Sequence, residues 1–152
     1  MRKLFPLALI LFAAPLSTAH AATPGLFPSF QVEITLSDKA AEKLKSSGDM
    51  LEVDAFYFGT PRAGDTTPVN DNGDIDLGDD SKTISHASTV TIGGSEYDTS
   101  LLEHLVDREA HLLINVNSST LDENILECDV FEDKLSVAVT GPNKLNCKLI
   151  GE

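Results

Sequence analysis

The residues whose types and spacing could do chemistry sit between Val69 and Ser81. This run holds five aspartates, two asparagines and two glycines in thirteen residues. Calcium takes roughly six to eight hard oxygen ligands, often carboxylates and amide carbonyls spaced two apart on a tight loop. Asn70, Asn72, Asp74 and Asp76 have that alternate spacing, and Gly73 permits a sharp bend. Two positions break the pattern of an EF-hand loop. Counted from Asn70, Ile75 stands where glycine is required and Ser81 where a bidentate glutamate is required. Asn72-Gly73 reads instead as a turn signal. The expectation is a charged turn leading into a short strand at Ile75-Asp76-Leu77. No cofactor is assigned, with calcium kept as an alternative. Asp71, Asp74, Asp76, Asp79 and Asp80 are the carboxylates best placed to meet a partner.

The rest of the chain offers little catalytic machinery. His86, His104 and His111 lack the ligand spacing of a zinc site. There is no Gly-x-Ser-x-Gly elbow and no Ser-x-x-Lys pair. Two of the 24 carboxylates could converge for glycoside hydrolysis, but the chain has no tryptophan to line a sugar site. No catalytic residue is assigned, and a hydrolase with dispersed carboxylates stays as a third reading.

A second contact loop is Gly93-Gly94-Ser95-Glu96-Tyr97, a flexible turn ending in a tyrosine with large amphipathic contact area. It resembles the loop carried by bacterial periplasmic lysozyme inhibitors, in which Ser-Gly is followed one or two residues later by Tyr. Gly93 occupies the serine position of that loop, so the side chain that would reach an enzyme's carboxylates is missing. Gly94, Ser95 and Tyr97 are the contact candidates in this turn. Three further segments, Val32-Glu33-Ile34-Thr35-Leu36, Ala55-Phe56-Tyr57-Phe58-Gly59 and Asn146-Cys147-Lys148-Leu149-Ile150, are similar to uncharacterised exported proteins of proteobacteria. That similarity implies export and a single domain, and it brings no activity.

The elements that must hold these loops follow from periodicity. Arg2 and Lys3, the apolar run Leu4 to Pro15 and the small residues Ala19-His20-Ala21 read as a secretory leader cleaved after Ala21. The run is short for a bilayer span, so stable membrane insertion is not expected, and the mature chain is placed in the periplasm or outside the cell. Cleavage removes two basic residues and leaves 9 Lys+Arg against 24 Asp+Glu, a formal charge of −15. Such a field repels nucleic acid and draws in cations or basic proteins. Residues 22–29, with Pro24, Gly25 and Pro28, are expected as a flexible lead-in, and residues 30–152 as one domain.

Within that domain, Phe30 to Leu36, Leu51 to Gly59 and Ala110 to Asn117 alternate with period two and read as strands. The outward side of Leu51–Gly59 changes from Glu52 and Asp54 to Phe56 and Phe58, so something is expected to cover that end. Lys82 to Ile92 reads as a strand or a broken pair, Ile125 to Glu132 and Lys144 to Ile150 as strands, and Ser136 to Thr140 as a further strand. Ser37 caps a short helix over Asp38–Ser46 that stops at Gly48. Ser100 and Glu103 form a capping box for a second helix. Cys128 and Cys147 form one disulfide, as two cysteines in an oxidising compartment do. The sum is a mainly β, single-domain antiparallel sandwich with two short helices and one disulfide. The function expected of it is non-enzymatic binding of a basic protein; the alternative is a calcium- or small-ligand-binding domain.

Overall fold

Leu51, Val53, Ala55 and Tyr57 alternate with polar and aromatic neighbours, and all four are fully buried at 0% exposure. They lie on β3 (Leu51–Gly59), an interior strand around which half of the molecule is built. The computed structural model describes residues 23–119 and 123–152. The leader reading over residues 1–21 lies outside them, as do residues 120–122.

In chain order the strands are β1 (Pro24–Leu26), β2 (Phe30–Leu36), β3, β4 (Ile75–Ile84), β5 (Thr89–Ile92), β6 (Glu96–Asp98), β7 (His111–Ser118), β8 (Leu126–Cys128), β9 (Phe131–Lys134) and β10 (Asn143–Leu149). They form one four-stranded sheet in the order β5-β2-β10-β8, a second in the order β4-β3-β7-β9, and a small β1-β6 ribbon. Apolar residues of both large sheets join one core, with Val32, Ile34 and Leu145 from the first and Val53, Ile114 and Val116 from the second. The mainly β sandwich expected from the sequence is thus the architecture. All pairings are antiparallel except β2 with β10, which run parallel. The last strand returns to lie beside the first long one, and a parallel pair needs such a long crossover.

Helix α1 (Asp38–Ser47) forms where its caps allow it. Ser37 accepts a hydrogen bond from the Ala40 amide at 3.1 Å, and Gly48 adopts φ 70° at the other end. That left-handed residue lets the Leu44 carbonyl, which accepts from the Gly48 amide, also meet the Asp49 amide at 3.0 Å. Ala40 and Leu44 turn inward.

Five expectations need correction. Residues 24–28 are not a loose lead-in: β1 pairs with β6, and Phe27, 2% exposed, is a core residue. The second helix is a 3₁₀ turn, Thr99–His104, capped by Asp98 rather than Ser100. Asp98 Oδ1 accepts from both the amide and the hydroxyl of Ser100, at 2.9 and 2.7 Å, which is why the capping box does not form. Residues 135–138 are helical, as α2 (Leu135–Ala138), instead of part of a strand. The strand read over Ile125–Glu132 is two strands, β8 and β9, in different sheets.

The fifth correction concerns the acidic run. Ile75-Asp76-Leu77 is only the start of a ten-residue strand that continues through Gly78 to Ile84. Gly78 sits at φ 129°, where the register between β3 and β4 slips by one residue. The slip is a β-bulge: it buries Ile75 and Leu77, then resets the alternation so that Asp79 faces out and Asp80 faces in. Lys82–Ile92 is a broken pair as read, interrupted between Ile84 and Thr89 around His86.

Candidate functional site

Pleating sends Glu52, Asp54, Phe56 and Phe58 of β3 away from the core. Register then builds rows across the second sheet. One row is Asp79, Phe56, Leu113 and Glu132; the next is Asp76, Phe58, His111 and Lys134. Directly opposed side chains on neighbouring strands have Cβ atoms about 4.5–5.5 Å apart, so each row is a line of contacts. Phe56, Phe58 and Leu113 floor a groove of about 450 Å³. Asn70, Asn72, Asp74 and Asp76 wall it on the β4 side and Glu132 on the β9 side. Phe56 is 43% exposed in its floor, so the aromatic end of β3 is flanked by the acidic loop rather than covered.

The loop that forms the wall is rigidly made. The Asn70 amide donates to the Asp74 carbonyl at 2.8 Å and the Gly73 amide to the Asn70 carbonyl at 3.0 Å. This is a three-residue hairpin over residues 71–73, with Gly73 at φ 87° in the left-handed position such loops require. The two-residue turn centred on Asn72-Gly73 is therefore displaced by one residue. Asn70 Oδ1 accepts from the amides of Asn72 at 2.9 Å and Asp74 at 3.1 Å, which occupies both of its lone pairs. Asp76 Oδ1 accepts from the Gly78 amide at 3.0 Å, and Thr60 donates to Asp74 Oδ1 at 3.3 Å. Asp71 is exposed at the tip and Asp79 is exposed opposite Phe56.

Beyond the groove, in the row that continues from Phe58 to His111 and Lys134, charges are paired. Lys134 Nζ lies 2.9 Å from Asp107 Oδ2 and 3.0 Å from Glu109 Oε2, and His111 Nε2 lies 3.1 Å from the same Asp107 oxygen. The hydrogen bond from Lys134, with that of His111, holds the Asp107 carboxyl well below the usual carboxylate range. Hydrogen bonds from Ser136 and Lys134 also lower the pKa of Glu109. A carboxylate depressed on folding stabilises the native state fully above its unfolded value of about 4, and that contribution is lost as pH falls towards the native value. Acid titration of the melting temperature is expected to fall below about pH 4. Asp107→Asn makes that fall shallower, and an unchanged slope would reject this pairing as its source.

Three of the remaining sequence candidates, Asp80, Ser95 and Tyr97, face inward. Asp80 Oδ2 accepts from the Tyr57 hydroxyl at 2.8 Å and from Ser95 Oγ at 2.9 Å. Burial, with the adjacent Asp80 carboxylate, pushes the Tyr57 phenol far above its ordinary range. Tyr57 stacks on Phe27 at a centroid distance of 3.7 Å, and Phe27 on Tyr97 at 4.1 Å. Asp80, Ser95 and Tyr97 thus tie loop to core. Gly94 is exposed at φ 102°. Gly93, at φ 106°, has the Pro28 carbonyl oxygen 2.8 Å from where a Cβ would stand. Packing against that backbone accounts for glycine at the position where the inhibitor loop has serine.

Cys128 and Cys147 are joined, as expected from the sequence. The structure brings four of the sequence candidates, Asn70, Asn72, Asp74 and Asp76, to one groove, and separates from them Asp80, Ser95 and Tyr97. Sequence reasoning missed Leu113 and Glu132, which reach the groove through long-range pairing of β7 and β9. The only available signal was the outward Phe56 and Phe58. No helix among the described residues is long and apolar enough to cross a membrane. No protein-family model, curated protein or solved structure matches the chain.

Proposed function

We propose that this is an exported, acidic, non-enzymatic binding protein whose partner is a basic protein. The relation is that of an inhibitor to a cationic hydrolase, or of an immunity protein to a periplasmic toxin. The observation that carries the reading is the groove on the second sheet, where an exposed aromatic floor lies beside carboxylates fixed by a hydrogen-bonded hairpin. An apolar centre with a charged rim is the usual anatomy of a protein contact, and a rim of one sign steers association of the opposite sign. Binding of a panel of cationic and anionic proteins of matched size tests it. The cationic members alone bind, with an association rate that falls steeply with salt. Replacing Asp71, Asp74 and Asp76 together by Asn slows that association by about tenfold or more at low ionic strength. Equal binding of anionic proteins, or a rate indifferent to salt, would exclude the reading.

A calcium or small-ligand site is the second reading, favoured by the alternate oxygens of Asn70, Asn72, Asp74 and Asp76 along one groove wall. It predicts a melting temperature that rises with millimolar calcium, and loss of the rise in Asp74→Ala. Unchanged melting removes it. The occupied lone pairs of Asn70 weigh against it, since a cation there must break the hairpin.

A further inference from the structure

The groove poses a question that electrostatic steering alone does not answer: why a phenylalanine 43% exposed stands among carboxylates. An exposed aromatic surrounded by acids gains nothing in solubility. The face of an aromatic ring is electronegative and attracts a cation, and the neighbouring carboxylates add to that potential. Asp79 is directly opposite Phe56, and Asp76 occupies the next row beside Phe58. Anionic ligands are repelled there and neutral apolar ones gain no charge attraction.

The cation is not supplied by the same face. Among the outward residues of these two rows, the one lysine is Lys134, and Asp107 and Glu109 hold its ammonium. On β4, Lys82 points the other way and donates from Nζ to the Thr91 carbonyl at 3.2 Å.

We propose that the groove is an anchor site for an arginine presented by the partner protein, its guanidinium stacked on Phe56 and hydrogen-bonded to Asp76 and Asp79. This inference rests on the basic-partner reading and names the chemistry of the contact. Arginine is favoured over lysine for two reasons. Its planar, weakly hydrated guanidinium stacks on a ring while its edge makes forked bonds to a carboxylate; the ammonium of lysine is compact and strongly hydrated. Glu132, across the floor on β9, lies about three strand spacings from the β4 wall, so it meets a second positive charge on the same segment rather than the anchor itself.

The test uses two synthetic peptides of equal length and charge, one carrying arginines and the other lysines at the same positions. Each is titrated into the protein by calorimetry, with the Phe56 ring protons followed by NMR. The arginine peptide binds about three- to fivefold more tightly and shifts the Phe56 ring signals. Phe56→Leu keeps an apolar floor but abolishes the arginine preference, while Asp76→Asn weakens both peptides. An unchanged melting temperature in each variant shows that the fold is intact. Equal affinity for the two peptides, or a preference that survives Phe56→Leu, overturns the arginine anchor while leaving the basic-partner reading standing. Failure of both peptides to bind in the unaltered protein, at low as well as physiological salt, overturns both.

Discussion

Replacing both Cys128 and Cys147 by serine is expected to lower the melting temperature by about 10 °C. The bridge closes a loop with a sequence separation of 19, for which the chain-entropy model gives about 3 kcal/mol. A domain of this size converts that into the stated shift. The structure shows why the loss should be felt as local release too. β8 is only three residues long and meets one neighbour, β10, with Cys128 directly opposite Cys147. Beyond it the chain crosses to the other sheet through Asp129, whose Oδ2 accepts from the Asn146 amide at 3.1 Å and side chain at 2.7 Å. With the bridge gone, the edge is held by those hydrogen bonds, three residue pairs, the bonds of Leu126 to Asn124 and the burial of Leu126. Calorimetry of the double variant beside the oxidised protein measures the shift, and hydrogen exchange should show Leu126–Cys128 opening first. Matching melting temperatures would mean that the bridge contributes nothing beyond the strand pairing.

The parts of this fold legible in the sequence are those where one local rule decides. β2, β3 and β7 each carry an uninterrupted period of two, and their inward residues are the core. α1 has its serine cap, its apolar pair and its terminal glycine in order. Elements that depend on distant contacts were not legible. Gly78-Asp79-Asp80 has the composition of a turn, yet pairing with β3 extends the strand through it, because a bulge at Gly78 absorbs the mismatch. Leu135-Ser136-Val137-Ala138 has a β-branched residue at its centre, yet Leu135 and Ala138, three apart, are the buried pair while Val137 is 42% exposed. That spacing is helical, and only the location of the core reveals it. The switch of sheets at Asp129-Val130 leaves no periodic trace in so short a span.

The candidate site divides along the same line. Its acidic wall was evident in the composition. The floor was half evident, since Phe56 and Phe58 fall on the solvent side of a strand whose period is plain. Glu132 was invisible, because its place depends on β9 pairing with β7 through Leu113. Two readings drawn from composition were absorbed by packing instead. Asp80 counts towards the acidic run in sequence, but the bulge aims it at Tyr57 and Ser95. Tyr97 has the makings of a contact residue and serves as the outer ring of a stack on Phe27.

Gly93→Ala is the other substitution with a large expected effect, and Gly94→Ala is its internal control. Both glycines sit in the left-handed region, at φ 106° and 102°, so both substitutions pay the cost of an L side chain there, about 1 kcal/mol. They differ in what the new methyl meets. At Gly94 nothing lies within 4 Å, whereas at Gly93 a Cβ would stand 2.8 Å from the Pro28 carbonyl oxygen and 3.0 Å from Ser29 Cα. Backbone atoms cannot rotate away as a side chain would. The segment they belong to follows Phe27, whose amide donates to the Ser95 carbonyl at 3.0 Å. Shifting it disturbs the Tyr57–Phe27–Tyr97 stack and the Asp80–Ser95 hydrogen bond together. Overpacking of this kind adds about 2 kcal/mol, so Gly93→Ala should melt about 10 °C below the unaltered protein and Gly94→Ala only about 4 °C below it. Equal shifts in the two variants would show that backbone conformation alone governs the turn and that the contact with Pro28 is slack.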